Sequence, residues 1–174
     1  MPVTPHPIQV TVYDTDNSTL LSGVTFQVRN ITKGTELTAA QKTDANGVTE
    51  LDLANLSGDT PYVAGDKIMC VVHKGNKHDA YLYTVSGDNE DLTLYLNEAK
   101  FHNKVTSLLS ITTAETSGTV AYVKVYDWYD GELIAHIETP ANDTKNVLFG
   151  YQGKQCRYVF VREANTLIVS ATSK

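Results

Sequence analysis

The stretch from Ile8 to Tyr13 reads Ile-Gln-Val-Thr-Val-Tyr, and the stretch from Val24 to Asn30 reads Val-Thr-Phe-Gln-Val-Arg-Asn. In both stretches apolar residues alternate with polar ones, which places the apolar side chains on one face of an extended chain. Residues 14–18 between them read Asp-Thr-Asp-Asn-Ser. Such residues favour turns because their side chains bond to nearby backbone. The two stretches therefore predict two strands that each bury one face.

The same pattern recurs along the chain, with turn signals such as Asn46-Gly47 and Asp130-Gly131 between the runs. No window of about a dozen residues has the apolar spacing of a helix. Ten tyrosines and many Val and Thr residues suit a pleated, half-buried surface. The chain is therefore predicted to be all-β, with further strands at 36–43, 48–53, 67–73, 81–85, 91–96, 105–112, 119–127, 132–138, 145–149, 155–162 and 166–170.

A length of 174 residues fits one domain or two small ones. Residues 97–103 mix charged and polar types without a period, and we place a domain boundary there. The sequence predicts two tandem small β-sandwich domains of the immunoglobulin-like kind, at residues 1–98 and 99–174.

The charge and the ends of the chain limit the possible partners. The formal net charge of −6 and the lack of a basic cluster argue against nucleic acid, whose phosphates attract clustered Lys and Arg. No segment approaches the roughly 20 apolar residues of a membrane helix. The first residues lack the basic and apolar regions of a secretory signal, so we expect no export by that route, or a signal already removed. Neither nucleic acid nor membrane is an expected partner.

The two cysteines, Cys70 and Cys156, each lie in an apolar run typical of a strand. We expect two buried thiols in a reducing compartment, and a disulfide between them is the less favoured alternative.

Residues 8 to about 96 contain further segments with a family likeness. These are Leu21–Val28 with its Ser-Gly-Val-Thr-Phe start, the Thr-Asp-Ala-Asn-Gly turn within Lys42–Val48, Leu51-Asp52-Leu53, and Gly65–Ile68 before a long apolar strand. This half of the chain resembles the carboxypeptidase regulatory-like and collagen-adhesin B-type repeats, the prealbumin-like branch of immunoglobulin-like sandwiches. The resemblance implies a stalk, spacer, adhesin or appended binding domain, which is rarely catalytic.

The residue types that would support catalysis or metal binding do not cluster in the sequence. The Gly-x-Ser-x-Gly nucleophile motif is absent. The five histidines are scattered, and His73 and His78, which flank one loop, are expected to be solvated. The Asp14–Asn17 loop is the best calcium candidate and Asp88–Asp91 the second, but turn chemistry explains both. We predict no catalytic residue, no cofactor and no metal.

An aromatic cluster in the second half is the candidate site. In strict alternation Tyr122, Tyr126 and Trp128 lie on the face of their strand opposite the β-branched Val123 and Val125. Outward aromatics beside Lys124 would suit a protein interface or a carbohydrate platform. The alternative is that both faces are buried, or that the strand bends at a bulge.

Absence of reactive clusters together with sandwich domains favours a non-catalytic role. The whole chain looks like a head decoration protein of a tailed bacteriophage, made in the host cytoplasm and displayed on the capsid surface. The expected partner is the major capsid protein or another virion protein, with self-association as a further possibility. A bacterial cell-surface adhesin or carbohydrate-binding module is the alternative.

Overall fold

A computed structural model describes residues 3–36, 41–87, 89–97, 108–128, 131–150, 158–163 and 167–173 of the chain. Over these residues the regular structure consists of strands and one short 3-10 turn at Leu53–Asn55. The strands are β1 (Pro7–Tyr13), β2 (Thr25–Asn30), β3 (Thr35–Glu36), β4 (Gln41–Lys42), β5 (Val48–Asp52), β6 (Lys67–Lys74), β7 (Lys77–Thr84), β8 (Glu90–Tyr95), β9 (Leu108–Ala114), β10 (Ala121–Asp127), β11 (Leu133–Thr139), β12 (Thr144–Gly150), β13 (Tyr158–Arg162) and β14 (Ile168–Ser173).

The contacts between residues divide the chain into two compact units. The first comprises Met1–Lys74 and Tyr81–Leu96, and the second comprises Gly75–Ala80 and Asn97–Lys174. The turn after β6 and the first residues of β7 therefore belong to the second unit. The boundary predicted from sequence, between residues 98 and 99, stays a prediction.

The first unit is a sandwich of two sheets. In one sheet β1 lies between β5, which is antiparallel to it, and β8, which is parallel. The other sheet has the order β3-β2-β6-β7, and β4 also pairs with β2. The alternating residues of both sheets face each other and form one core, which includes Ile8, Val10, Val12, Leu92 and Leu94 from the first sheet and Phe26, Val28, Ile68, Cys70 and Val72 from the second.

The second unit is a smaller sandwich with its own core. One sheet has the order β11-β10-β13 and the other the order β12-β9-β14, all antiparallel. The inner faces of the two sheets share a core made of Ile111, Ala121, Val123, Val125, Ile137, Tyr158, Phe160, Leu167, Val169 and Ala171.

The predicted fold class, all-β with two small sandwiches, is confirmed by these two cores. Two strand predictions differ from the structure by more than a few end residues. Where one strand was predicted at 36–43, the structure has two short strands, β3 and β4, which pair with different parts of β2, and residues 37–40 lie outside the described residues. Strand β7 begins at Lys77 instead of residue 81, because polar residues form its first half.

Cys70 is buried in the first core as a free thiol, and burial raises the pKa of that thiol. Cys156 lies outside the described residues, so the expected pair of thiols is described for Cys70 alone. Among the described residues, none lies in a helix with the length and apolar content needed to span a bilayer.

Candidate contact surface

Strand β10 is the centre of the candidate site because it lies between β11 and β13. Ala121, Val123 and Val125 point into the second core, as the period of two requires. Tyr122 and Lys124 alternate with them and are half-buried on the opposite face. This half of β10 therefore has one apolar face and one polar, aromatic face.

Side chains from the neighbouring strands share that outer face, and two of them contact Tyr122 or Lys124. Strand β11 places His136 opposite Lys124, and the backbone N–H of Glu163, just after β13, donates to the Tyr122 carbonyl at 3.0 Å. The His136 and Tyr122 rings lie 5.1 Å apart between centroids. We call Tyr122, Lys124, His136 and Glu163 the β10 contact surface.

Glu163 is the electrostatic centre of the β10 contact surface. Its Oε1 lies 2.7 Å from Lys124 Nζ, and its Oε2 lies 3.9 Å from His136 Nε2. The hydrogen bond from the Lys124 ammonium to Glu163 raises the pKa of Lys124. The side chains are 34% exposed at Lys124, 36% at Glu163 and 46% at His136. Ion pairs this exposed contribute about 0–1 kcal/mol, so a partner could replace them at small cost.

The structure places the three predicted aromatics differently from one another. Tyr122 is half-buried on the contact surface, whereas Tyr126 is 9% exposed and Trp128 is 1% exposed. The expectation that all three point outward is wrong for Tyr126 and Trp128. Desolvation raises the pKa of the Tyr126 hydroxyl, which agrees with its burial.

The surroundings of β10 change at this point, although its register with β13 is continuous from Val123 to Asp127. The pairing of β10 with β11 shifts between Val125 and Tyr126, where Val125 lies opposite Ala135 and Tyr126 lies opposite Leu133. Ile134 is therefore an extra residue in β11, a β-bulge that bends and twists the strand. From Val125 to Trp128 every residue of the chain is buried, so the strand has no solvated face there.

The histidines also differ from expectation. His78 was predicted to be solvated, but it is a fully buried residue of β7. Its ring nitrogen Nε2 accepts a hydrogen bond from the Phe160 backbone N–H at 3.1 Å, a contact 82 residues away in sequence. His73, the other histidine beside that loop, is half-buried. The prediction is wrong for His78 because long-range packing overrides its polar neighbours.

Sequence reasoning missed His136 and Glu163 as members of the site. A signal for His136 was present, because the Asp130-Gly131 turn predicts a hairpin, and a hairpin places the following strand beside Lys124. Glu163 had no such signal, since its position depends on pairing between β10 and the distant β13.

The best calcium candidate forms a turn. Asp16 accepts hydrogen bonds from the N–H groups of Ser18 at 2.9 Å and Thr19 at 2.8 Å, and from the Thr19 hydroxyl. The hydrogen bond from the Thr19 hydroxyl lowers the pKa of Asp16 most, and the bonds from the two backbone N–H groups lower it further. The second candidate, at 88–91, begins at a residue outside the described part. Within the described part, no three His, Cys, Asp or Glu side chains are grouped to hold a metal ion.

Comparison with known proteins gives structural likeness only. No protein-family model matches the chain, and no curated protein matches it in sequence. The Bacillus anthracis TIE protein is similar over 98% of this chain, with 13% identity and a TM-score of 0.38, and the chain spans 31% of its length. The shaft pilin SpaA from Lactobacillus rhamnosus GG is similar over 97% of this chain and 82% of the pilin, with 13% identity and a TM-score of 0.34. A mutant of the same pilin gives 12% identity and a TM-score of 0.36, over 97% of this chain and 83% of the pilin. Similarity at this level carries no argument about function.

Proposed function

We propose that the protein is a non-catalytic structural protein that binds another protein through the β10 contact surface. The observation that carries the proposal is the solvent-accessible group of one tyrosine, two basic side chains and one carboxylate around the central strand β10. Tyr supplies large contact area at small entropic cost, and exchangeable ion pairs supply specificity.

Buried polar residues support a structural role because they make hydrogen bonds that stabilise the fold. Glu115 accepts from the N–H groups of Ser117, Gly118 and Asn142 and so joins two turns. In the first unit, Asn30 donates to Asp66 at 2.8 Å, and Asp66 accepts from the Val63 N–H at 3.0 Å. These hydrogen bonds pair buried polar groups within the fold, so the presence of the residues is explained without a catalytic role.

Our specific proposal is a decoration protein on the capsid of a tailed bacteriophage, bound to the major capsid protein. The free, buried thiol of Cys70 suits synthesis in a reducing cytoplasm. The net charge of −6 favours solubility at high copy number and disfavours binding to packaged DNA.

Quantitative mass spectrometry of purified particles from the source culture tests this proposal. We expect a fixed ratio of this chain to the major capsid protein, corresponding to tens to hundreds of copies per particle. Absence from particles and recovery from the cell-surface fraction would overturn the virion proposal and favour an adhesin. The sugar-binding form of that alternative would have to use residues other than Trp128, because its ring is buried.

A variant pair tests the surface itself. Lys124→Ala, alone and with Tyr122→Ala, should lower the number of copies retained on particles while the protein stays folded. Lys145→Ala is the matched control, because Lys145 is an exposed lysine on β12 in the other sheet. Equal retention of all variants would show that a different surface binds.

A further inference from the structure

We define the hairpin tip as residues 75–80. These residues are contributed by the β6–β7 hairpin but belong to the second unit by their contacts. The backbone of His78 pairs with that of Asn97 through two hydrogen bonds of 3.1 and 2.9 Å. The hairpin tip is thus held in the second unit at a defined register.

The His78 side chain caps the edge of β13. Among the described strands β13 pairs with β10 only, so its other edge has backbone groups that need partners. The Phe160 N–H on that edge donates to His78 Nε2 at 3.1 Å, and the two rings lie 5.3 Å apart. The imidazole therefore replaces a neighbouring strand at this position.

Three further side-chain contacts lie within the second unit. Asp79 receives hydrogen bonds from Arg162 Nε at 3.3 Å and Nη2 at 2.9 Å, with both side chains about 5% exposed. Arg162 Nη1 also donates to the Leu167 carbonyl at 2.9 Å. Asn97 Oδ1 accepts from the Val169 N–H on β14 at 3.4 Å. His78 and Asn97 thus each accept a hydrogen bond from one backbone N–H, on β13 and β14 respectively.

The protonation state of His78 is fixed by its hydrogen bond. A backbone N–H can only donate, so Nε2 must present its lone pair, and an imidazolium has no lone pair to offer. In the described part of the chain, the charged groups at this site are Asp79, on the hairpin tip itself, and Arg162, from β13. The contacts described from β14 and Asn97 are uncharged.

We propose that the hairpin tip is an acid-released cap on the edge of β13, with His78 as its proton sensor. When the tip is closed, the ring is neutral, fully buried and bonded to Phe160. When it is open, the ring is solvated and takes up a proton. Acid therefore favours opening, and opening exposes the Phe160 N–H on an edge of β13 that pairs with no other described strand.

The sign and the pH window follow from linkage. A solvated histidine titrates near 6.5, so the open form binds one more proton than the closed form below about pH 6.5. Above that pH the closed form has its full stability relative to the open form, and this stability decreases as the pH falls. Below about pH 6.5, the equilibrium constant for opening should rise by up to about 10-fold for each unit by which the pH falls. This inference does not depend on the proposed function.

Hydrogen exchange of the Phe160 amide in the full chain tests the proposal. The rates, corrected for the intrinsic pH dependence of exchange, are compared between pH 7.5 and pH 5.0, with the core amide of Val125 as reference. We expect protection of Phe160 to fall by about 10-fold from pH 6 to pH 5 while that of Val125 stays unchanged. Carboxylates ordinarily remain ionised over this range.

The variant His78→Gln keeps an acceptor near Phe160 but does not titrate, so its Phe160 protection should be independent of pH. His136→Gln is the matched control on the β10 contact surface and should keep the wild-type slope. A flat profile in the wild type, or the same slope in His78→Gln, overturns the proposal. If His78→Gln does not fold, the wild-type profile decides by itself.

Discussion

At the scale of single residues, Gly47 is a position where the backbone cannot accept a side chain. Its φ is +72°, and a Cβ there would lie 3.0 Å from the Val12 carbonyl oxygen and 3.1 Å from the Leu21 nitrogen. Those are backbone atoms, and Val12 and Gly47 are themselves joined by a hydrogen bond of 2.9 Å. A side chain would therefore push β1 away from the turn before β5.

We expect Gly47→Ala to destabilise the first unit more than Gly34→Ala. Gly34 has a similar φ of +69° but has open space around it, so its substitution carries the backbone strain alone, about 1–2 kcal/mol. Overpacking adds roughly 1–3 kcal/mol at Gly47. Urea unfolding of both variants measures the difference, and equal losses would contradict the close approach.

Glu115 tests whether a buried carboxylate is a structural cap. It is 2% exposed and accepts hydrogen bonds from the Ser117 N–H at 2.6 Å, the Gly118 N–H at 3.0 Å and the Asn142 N–H at 3.2 Å. In Glu115→Gln one acceptor oxygen becomes an N–H₂ donor that faces other donors.

Glu115→Gln should lower the free energy of unfolding by about 1–3 kcal/mol, the cost of leaving buried N–H groups unsatisfied. Glu138→Gln removes the same charge at an exposed position of β11 and should change stability by less than about 0.5 kcal/mol. Chemical denaturation of the two variants gives the comparison. Similar values for both would mean that the cap has no net effect.

At the scale of elements, β10 changes character along its length. Its first half has a solvated face with Tyr122 and Lys124, and its second half is buried on both faces up to Trp128. We expect Trp128→Ala to cost about 3–5 kcal/mol, as for a large aromatic in a core. Tyr122→Ala should cost only about 1 kcal/mol. Thermal or urea unfolding separates the two, and a stable Trp128→Ala protein would restore Trp128 as a surface residue.

The elements also show what sequence patterns can predict. The core faces of β1 and β2 follow from their period of two, because alternation alone decides which side chains are buried. The burial of Trp128 does not follow, because the chain is buried on both faces from Val125 to Trp128, and alternation alone cannot reveal a second buried face. His78 lies among Lys and Asn residues and is buried only by a partner 82 residues away. The alternation of residue types therefore predicted the strands. The composition of the site depended on pairing between strands that are far apart in the sequence.

At the scale of the whole molecule, the sequence boundary and the contact boundary differ at residues 75–80 and at residues 97–98. A cut at the predicted boundary gives residues 99–174, which lack both the hairpin tip and Asn97. That fragment lacks the acceptors for the Phe160 and Val169 N–H groups and the carboxylate partner of Arg162. One N–H on each of two strand edges would then have lost its acceptor, and the buried Arg162 guanidinium would have lost its carboxylate partner.

We therefore expect the 99–174 fragment to unfold at a lower urea concentration than the same residues within the full chain, or to self-associate through its open edges. A fragment that starts at Asn97, with residues 75–80 joined ahead of it by a flexible linker, should recover part of the loss. An Asp79→Ala change in that longer fragment is the control, since it breaks the Arg162 contact while the chain length stays the same. Residue-resolved exchange and sedimentation measure stability and association separately. Full stability of the short fragment would show that the sequence boundary is the physical one and that the hairpin tip is dispensable to the second unit.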